Sequence, residues 1–352
     1  MENSALSQHK CPQEIRRIVV GLSGGVDSSV AAFLLKEGGH EVEGVSLRLW
    51  PGASVVEAQK LAELLGISFG VVEAGEAFRR QVVEPFVEAY RRGQTPNPCI
   101  LCNRFLKFGM LLDYARGRGA KLATGHYART VQTEGGLRLQ QARSRAKDQS
   151  YFLFNLKEEV LGELLFPLGN YSKEEVRALA QARGLPTAAK PDSMEACFVP
   201  PEGYAHFLER EGVVGVPGEI VDTGGKILGK HTGLHRFTIG QRRGLGDLGK
   251  PTPQYVLRLE VESNRLVVGE KEEAFSKRFF LHSPSWVDDT PPLHRRLRIC
   301  VRYRHAGAMG KLLREADAWA IELEEPICAI APGQAAVFYE GEVLIGGGWI
   351  VG

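Results

Sequence analysis

IVVGLSGGVDSSVAAFLL, residues 18–35, sets three glycines, three serines and one aspartate between an apolar run and a helical pattern. Residues 18–21 read as a short buried strand, and Val26, Val30, Phe33 and Leu34 recur at helix spacing, which puts the polar segment at a strand-to-helix turn. Such a turn favours phosphate. Glycines let the chain bend sharply, backbone N–H groups face the ligand, and the positive end of the following helix attracts negative charge. A lysine-bearing ATP loop needs G-x-x-x-x-G-K-[ST], but the fifth residue after Gly21 is Val26 and no lysine follows. A phosphate here would meet backbone and hydroxyl groups, with no cation from the loop itself.

Downstream, HEVEGVSLRLW reads as strand, VVEAQKLAELLG as helix, ISFGVVEA as strand and residues 76–92 as helix. This alternation predicts an α/β unit, a doubly wound parallel sheet with helices on both faces. A further helix over about residues 103–116 and the return strand AKLATGHYA extend the unit, giving a nucleotide-binding catalytic domain over 1–203. From Val213 the pattern changes to short strands with glycine turns, which predicts a small β-rich module over 204–274. Beyond it, LRICVRYRH, WAIELEE and QAAVFYEGEVLIGGG predict a closed antiparallel β-barrel over 275–352. The net charge of +2 excludes a global basic field, so any nucleic-acid contact must be local. No run approaches the roughly 18 apolar residues of a membrane span. MENSALSQHKCPQEIRR lacks the apolar core of a signal peptide, so a cytoplasmic protein with no membrane partner is expected.

Six cysteines in 352 residues do not make a disulfide framework. In RGQTPNPCILCNRFLKFG, Pro96 and Pro98 hold an extended approach, and Asn97 or Cys99 begins the helix that follows. Cys99 and Cys102 lie three apart, on one helix face. A helix N-terminus, with Arg104 and Lys107 nearby, is expected to lower their thiol pKa and raise the thiolate fraction. A zinc site needs about two more ligands, and the nearest candidate, Cys197 in DSMEACFVP, is far along the chain. Near the end, Arg296, Arg298, Arg302 and Arg304 alternate with Leu297, Ile299, Val301 and Tyr303, which predicts a strand with one basic and one apolar face. Residues 291–314 hold seven Lys/Arg and no Asp/Glu, the composition of a phosphate-contacting strip. Arg242 and Arg243 add a second basic point.

Ser23-Gly24-Gly25-Val26-Asp27-Ser28 resembles the S-G-G-x-D-S signature of the PP-loop ATP pyrophosphatases. SGGVDSS, TPNPCILCN, LATGHYAR, KDQSYFL, CFVP, FTIGQRRGLG, RYRH and PGQAAVFYEGEVLIGGG also occur in the order seen in the bacterial tRNA-specific 2-thiouridylases, across nearly the whole chain. The resemblance implies ATP-dependent replacement of the C2 oxygen of the wobble uridine by sulfur, in tRNAs for lysine, glutamate and glutamine. It implies that Gly21, Leu22, Ser23, Gly24, Gly25, Val26, Asp27 and Ser28 hold the ATP phosphates with Mg²⁺. Asp27 is then a catalytic residue and a direct or water-mediated metal ligand, while the backbone at Leu47 and Gly125 holds the adenosine.

Cys197 would carry incoming sulfur as a persulfide and Cys102 would release it by thiolate attack, a disulfide between them ending the cycle. Asn97, Pro98 and Cys99 would lie at the target base, Lys147, Asp148 and Gln149 along the anticodon region, and His126, Arg302, Tyr303 and Gln334 at further tRNA contacts. The base must be flipped out of its stack for C2 to be reached. The implied partners are tRNA and a sulfur-donor protein such as a cysteine desulfurase or sulfur-relay protein. An alternative sulfur chemistry has Cys99, Cys102 and Cys197 binding three irons of a [4Fe–4S] cluster. Two departures stand out: the family's longer insertion after LRLW is missing, and Cys99 stands where some members carry Asp. Two rival readings share the loop. One is a PP-loop ligase or amidotransferase acting on a small molecule, which has no need of Cys102, Cys197 or a basic strand; the other is a non-catalytic nucleotide- or RNA-binding protein.

Overall fold

The computed structural model describes residues 16–191 and 196–351, so most of the stretch weighed as a signal peptide lies outside it. Strands β1 (Arg17–Gly21), β2 (Glu41–Arg48), β3 (Ser68–Glu73) and β4 (Lys121–Ala123) are followed by a hairpin, β5 (Ala128–Thr133) and β6 (Gly136–Gln141), and by β7 (Leu164–Leu165). β1 to β4 and β7 form one parallel sheet in the order β3-β2-β1-β4-β7. Alternate residues of β1 face opposite layers. Ile18 and Val20 pack with helices α1 (Val26–Glu37), α2 (Val56–Leu65) and Lys173–Ala182, whereas Val19 packs against Phe108, Leu111 and Leu112. The strand order reverses between β1 and β4, and in open α/β sheets ligands bind beyond the carboxyl ends of the strands at that point.

The helix begins at Pro98, between the two starts offered by Asn97 and Cys99 and five residues before Asn103, because proline is pre-organised for the first helical position. Asn97 is its N-cap residue, and helical structure continues to Arg116 with a π-helical stretch at Asn103–Met110.

Strands β8 (Gly218–Val221), β9 (Ile227–His231), β10 (Tyr255–Glu260) and β11 (Arg265–Gly269) form a separate small sheet, ordered β10-β11-β8-β9. The last six strands are β12 (Phe275–Trp286), β13 (Leu297–Cys300), β14 (Ala308–Glu315), β15 (Ala318–Cys328), β16 (Ala335–Glu340) and β17 (Val343–Val351). They run β12-β15-β14-β13-β16-β17, and pairing of β12 with β17 closes an antiparallel barrel around Ile299, Leu312, Ile321 and Phe338. The β5–β6 hairpin joins β17 through Val343 and Gln140, so part of the N-terminal segment is built onto the barrel.

The basic strand face does not form as expected. β13 ends at Cys300, and the chain then turns, with Arg304 in the left-handed region at φ 61°. Arg295 and Arg296 are paired with Glu340 and Glu324 from neighbouring strands, so the local excess of arginine is partly neutralised by residues outside it. Among the described residues no helix is long and apolar enough to cross a membrane.

Candidate active site

The loop of residues 22–25 leaves the carboxyl end of β1 and is shaped by internal hydrogen bonds. Leu22 N–H donates to Val45 O at 2.8 Å and Ser46 Oγ donates to Leu22 O at 2.6 Å, fastening the loop to β2. The Ser23 N–H donates to Ser28 Oγ at 3.2 Å, and the Ser28 and Ser29 hydroxyls donate to Gly25 O at 3.1 and 2.8 Å. Gly24 takes φ 70°, which glycine adopts without strain. Gly25, the N-cap of α1, brings no capping side chain, so the first-turn N–H groups are left for an anion. Gly125, just past β4, lies directly against the first turn of α1: a Cβ there would sit 2.7 Å from Ser28 N and 2.8 Å from Asp27 C. Leu47 stands at the carboxyl end of β2, paired in register with Val72 of β3. Gly21 to Ser28, Leu47 and Gly125 thus gather at one end of the sheet.

Asp27 has partners that the sequence reading missed. Tyr127 Oη donates to its Oδ1 at 2.7 Å, and Lys173 Nζ lies 2.7 and 2.8 Å from Oδ1 and Oδ2. Lys190 Nζ donates to Gly24 O at 3.1 Å and pairs with Glu57, whose carboxyl it holds below the usual range. A loop without its own lysine therefore receives two, from 146 and 166 residues away. One signal was present in YSKEEV, where Ser172 and Glu175 form a capping box and Lys173 occupies the first helical position, the wrong end of the dipole for a cation.

Cys99 and Cys102 share one face of the short α-helical turn Pro98–Cys102. A π-helix takes about 4.4 residues per turn against about 3.6 in an α-helix. Lys107, five residues past Cys102 in the π stretch, therefore comes round to about 50° from it rather than about 140°. Cys197 arrives on a segment anchored by Phe198, whose ring meets Phe78, Phe86 and Phe207 at 5.6, 5.2 and 5.1 Å. Cys102 packs on the same aromatic cluster.

Lys107 acts electrostatically on all three thiols and on His126. The expected low thiol pKa is not found. Surrounding protein desolvates the thiolates and raises Cys99 and Cys102, and it pushes Cys197 up to about 11 with help from the other two; only Lys107 pulls the first pair down. Desolvation outweighs one cation and one helix end. Arg104, expected to assist, lies over the Phe105 ring. All three thiols are free; Cys99 and Cys197 are exposed and Cys102 is half-buried. Among the described residues no three His, Cys, Asp or Glu side chains are arranged to hold a metal ion.

His126 is buried, with Nδ1 2.8 Å from Thr124 Oγ1 and Nε2 3.5 Å from Lys107 Nζ. An ammonium only donates, so the ring proton is assigned to Nδ1, and burial with Lys107 holds the imidazole neutral, well below its usual pKa. Gly125 thus lies against the start of α1, and its neighbour His126 meets Lys107, whose charge acts on the three thiols. Asp148 is also buried and accepts from Ala142 N–H, Ser150 N–H and Oγ, and the Gln141 amide, while Gln149 Oε1 accepts from Tyr127 N–H at 3.0 Å. Gln334 Nε2 donates to Thr95 O at 2.7 Å, fastening the barrel to the segment that leads into Asn97 and Pro98. Lys147, Arg302 and Tyr303, with Asp148 beside them, line a cleft of about 780 Å³ together with Arg145, Arg298 and Arg304, and Tyr303 rests on Phe152 at 4.4 Å.

Three family models match in succession: a tRNA methyl transferase HUP domain over residues 16–201, a tRNA methyl transferase PRC-barrel domain over 205–270, and an aminomethyltransferase β-barrel domain over 276–350. The tRNA-specific 2-thiouridylase MnmA of Acidithiobacillus ferrooxidans is 45% identical over 349 residues, covering 96% of this chain and 99% of that protein. The protein of the same name from Syntrophotalea carbinolica is 46% identical over 349 residues, covering 95% and 98%. Among solved structures, an NMN synthetase from Francisella tularensis aligns with a TM-score of 0.33 and 18% identity, over 51% of this chain and 67% of its own.

Proposed function

The chain belongs to the tRNA-specific 2-thiouridylase family, and from that premise we propose that it is an ATP-dependent tRNA-uridine 2-sulfurtransferase acting on the wobble uridine of tRNAs for lysine, glutamate and glutamine. The family models are described by methyl transfer, but two thiols beside an ATP loop argue for sulfur. A uracil carbonyl oxygen leaves poorly until it is esterified, and sulfur is then the incoming nucleophile. The observation that carries this reading is the run from the start of α1 through Gly125 and His126 to Lys107, whose charge acts on Cys102.

The C2 oxygen attacks the α-phosphorus of ATP and pyrophosphate leaves. The glycine turn and the uncapped start of α1 bind the departing phosphates. Asp27 supplies one hard carboxylate, which would hold a bound Mg²⁺, and such an ion would supply charge neutralisation to the leaving pyrophosphate. Leu47 and Gly125 flank the adenosine. Sulfur bound to Cys197 as a persulfide then replaces AMP at C2. Cys102 thiolate attacks Sγ of Cys197, the S–S bond to the terminal sulfur breaks, and that sulfur departs with the electron pair while a Cys102–Cys197 disulfide forms. An external thiol must reduce it.

The persulfide relay is preferred to a cluster on Cys99, Cys102 and Cys197 because it uses two thiols and needs no cofactor. Lys147, Arg302 and Tyr303 support a tRNA surface in the cleft beside the barrel, and Asn97, Pro98 and Cys99 lie at the target base. His126, Asp148, Gln149 and Gln334 are tied into internal bonds and act by holding those surfaces. ATP chemistry and the target base belong to 1–203, and 204–274 and 275–352 extend the tRNA-binding surface. The enzyme works in the cytoplasm with a cysteine desulfurase or sulfur-relay protein as donor.

Release of pyrophosphate from ATP is the test. It should require unmodified tRNA, and AMP and 2-thiouridine should then appear together only when a persulfide donor is present. Release without tRNA would favour a small-molecule ligase, and no release would favour a binding protein.

A further inference from the structure

We propose that Lys173 is a phosphate-binding lysine of the ATP site: Asp27 holds its ammonium at the start of α1 in the ATP-free enzyme, and the ammonium moves to the pyrophosphate portion of ATP when the nucleotide binds. The inference rests on the ATP reading above. The loop sequence lacks the lysine that other phosphate loops carry, and the structure delivers one from 146 residues away.

The placement of Lys173 has no explanation in folding alone. Its side chain is only 7% exposed, and lysine is almost never so buried unless paired. It occupies the first position of its helix, where a cation opposes the dipole; Ser172, Glu174 and Glu175 already satisfy that helix end. Its Nζ reaches both oxygens of Asp27, the second residue of α1, and so stands at the positive end of a second helix. That end has no side-chain cap. An ammonium beside an uncapped helix start is arranged for an anion carrying more charge than one carboxylate.

Tyr127 makes the transfer feasible. Its hydroxyl donates to Asp27 Oδ1 at 2.7 Å, so the carboxylate keeps a partner when the lysine leaves and is free to turn toward the metal. Lysine suits this movement, because its flexible stem carries a point charge.

The experiment measures binding of magnesium pyrophosphate to the full-length protein by titration calorimetry, with tRNA affinity as the control for folding. Lys173→Met should weaken pyrophosphate binding at least about tenfold, the worth of one charge-assisted hydrogen bond, and leave tRNA affinity within about twofold. Lys173→Gln, which keeps a hydrogen bond to Asp27 without the charge, replaces it if the Met variant loses tRNA binding. The same loss should appear when Lys173→Met is added to Asp27→Asn. An unchanged pyrophosphate affinity, or a loss that vanishes in the Asp27→Asn background, would overturn the proposal, since Lys173 would then serve only Asp27. Failure of the wild-type protein to bind pyrophosphate would instead overturn the ATP reading.

Discussion

Replacing Gly125 by alanine adds one methyl group between β4 and the phosphate loop. Its Cβ would lie 2.7 Å from Ser28 N, 2.8 Å from Asp27 C and 3.1 Å from Ser28 Cα, all of them backbone atoms with no rotamer to yield. Ordinary contact begins at 3.4 Å, so the start of α1 must retreat by about 0.7 Å. Over-packing of this kind costs about 1–3 kcal/mol, and at about 2–4 °C per kcal/mol for a domain of this size the thermal midpoint falls by about 2–12 °C. The catalytic loss is larger, because a misplacement of about 1 Å costs on the order of 10²-fold in rate. The assay is the initial rate of pyrophosphate release with saturating unmodified tRNA and a persulfide donor, alongside a thermal melt and a tRNA-binding titration. We expect kcat/KM for ATP to fall about 30- to 100-fold while tRNA affinity stays within about twofold. A kcat/KM within about threefold of wild type would refute the reasoning that this close approach sets the phosphate site.

Desolvation by the surrounding protein, with Cys102 and Cys99 nearby, raises the Cys197 thiol to about 11 although its side chain is reachable from solvent, so its thiolate is scarce at neutral pH and grows about tenfold per pH unit; alkylation by iodoacetamide, followed by peptide mass spectrometry, should rise with that slope from pH 7 to 10. A plateau below pH 8 would contradict the assignment. Cys99→Asp protein purified without oxygen should hold no iron and keep full activity with a persulfide donor, whereas activity proportional to bound iron would restore the cluster. Arg302→Glu should weaken tRNA binding and reduce its salt slope by roughly one or more; an unchanged slope would remove Arg302 from the interface.

What was legible in the sequence was local. The β1–loop–α1 unit could be read because strand period, glycine turn and helix period follow one another within 18 residues, and the same holds for the β-rich modules. Three features were not. Lys173, Tyr127 and Asp27 meet only through the folded sheet, and no spacing rule joins them. The π stretch that carries Lys107 to the cysteine face depends on i to i+5 bonding, which residue identity does not declare. The thiol pKa values were misjudged because a helix end and two cations are visible in CILCNRFLK, whereas desolvation by packed aromatic rings is not. The arginine run was overread for the same reason: Glu324 and Glu340 lie outside it in sequence and beside it in space.

The most direct measurement follows the oxygen that sulfur replaces. Unmodified substrate tRNA carrying ¹⁸O at C2 of the wobble uridine is converted in one turnover with Mg²⁺–ATP and a persulfide donor, and the AMP is weighed by mass spectrometry. If C2 is activated by adenylation, each 2-thiouridine formed is matched by one AMP bearing the heavy oxygen; thiouridine formed with unlabelled AMP would contradict it.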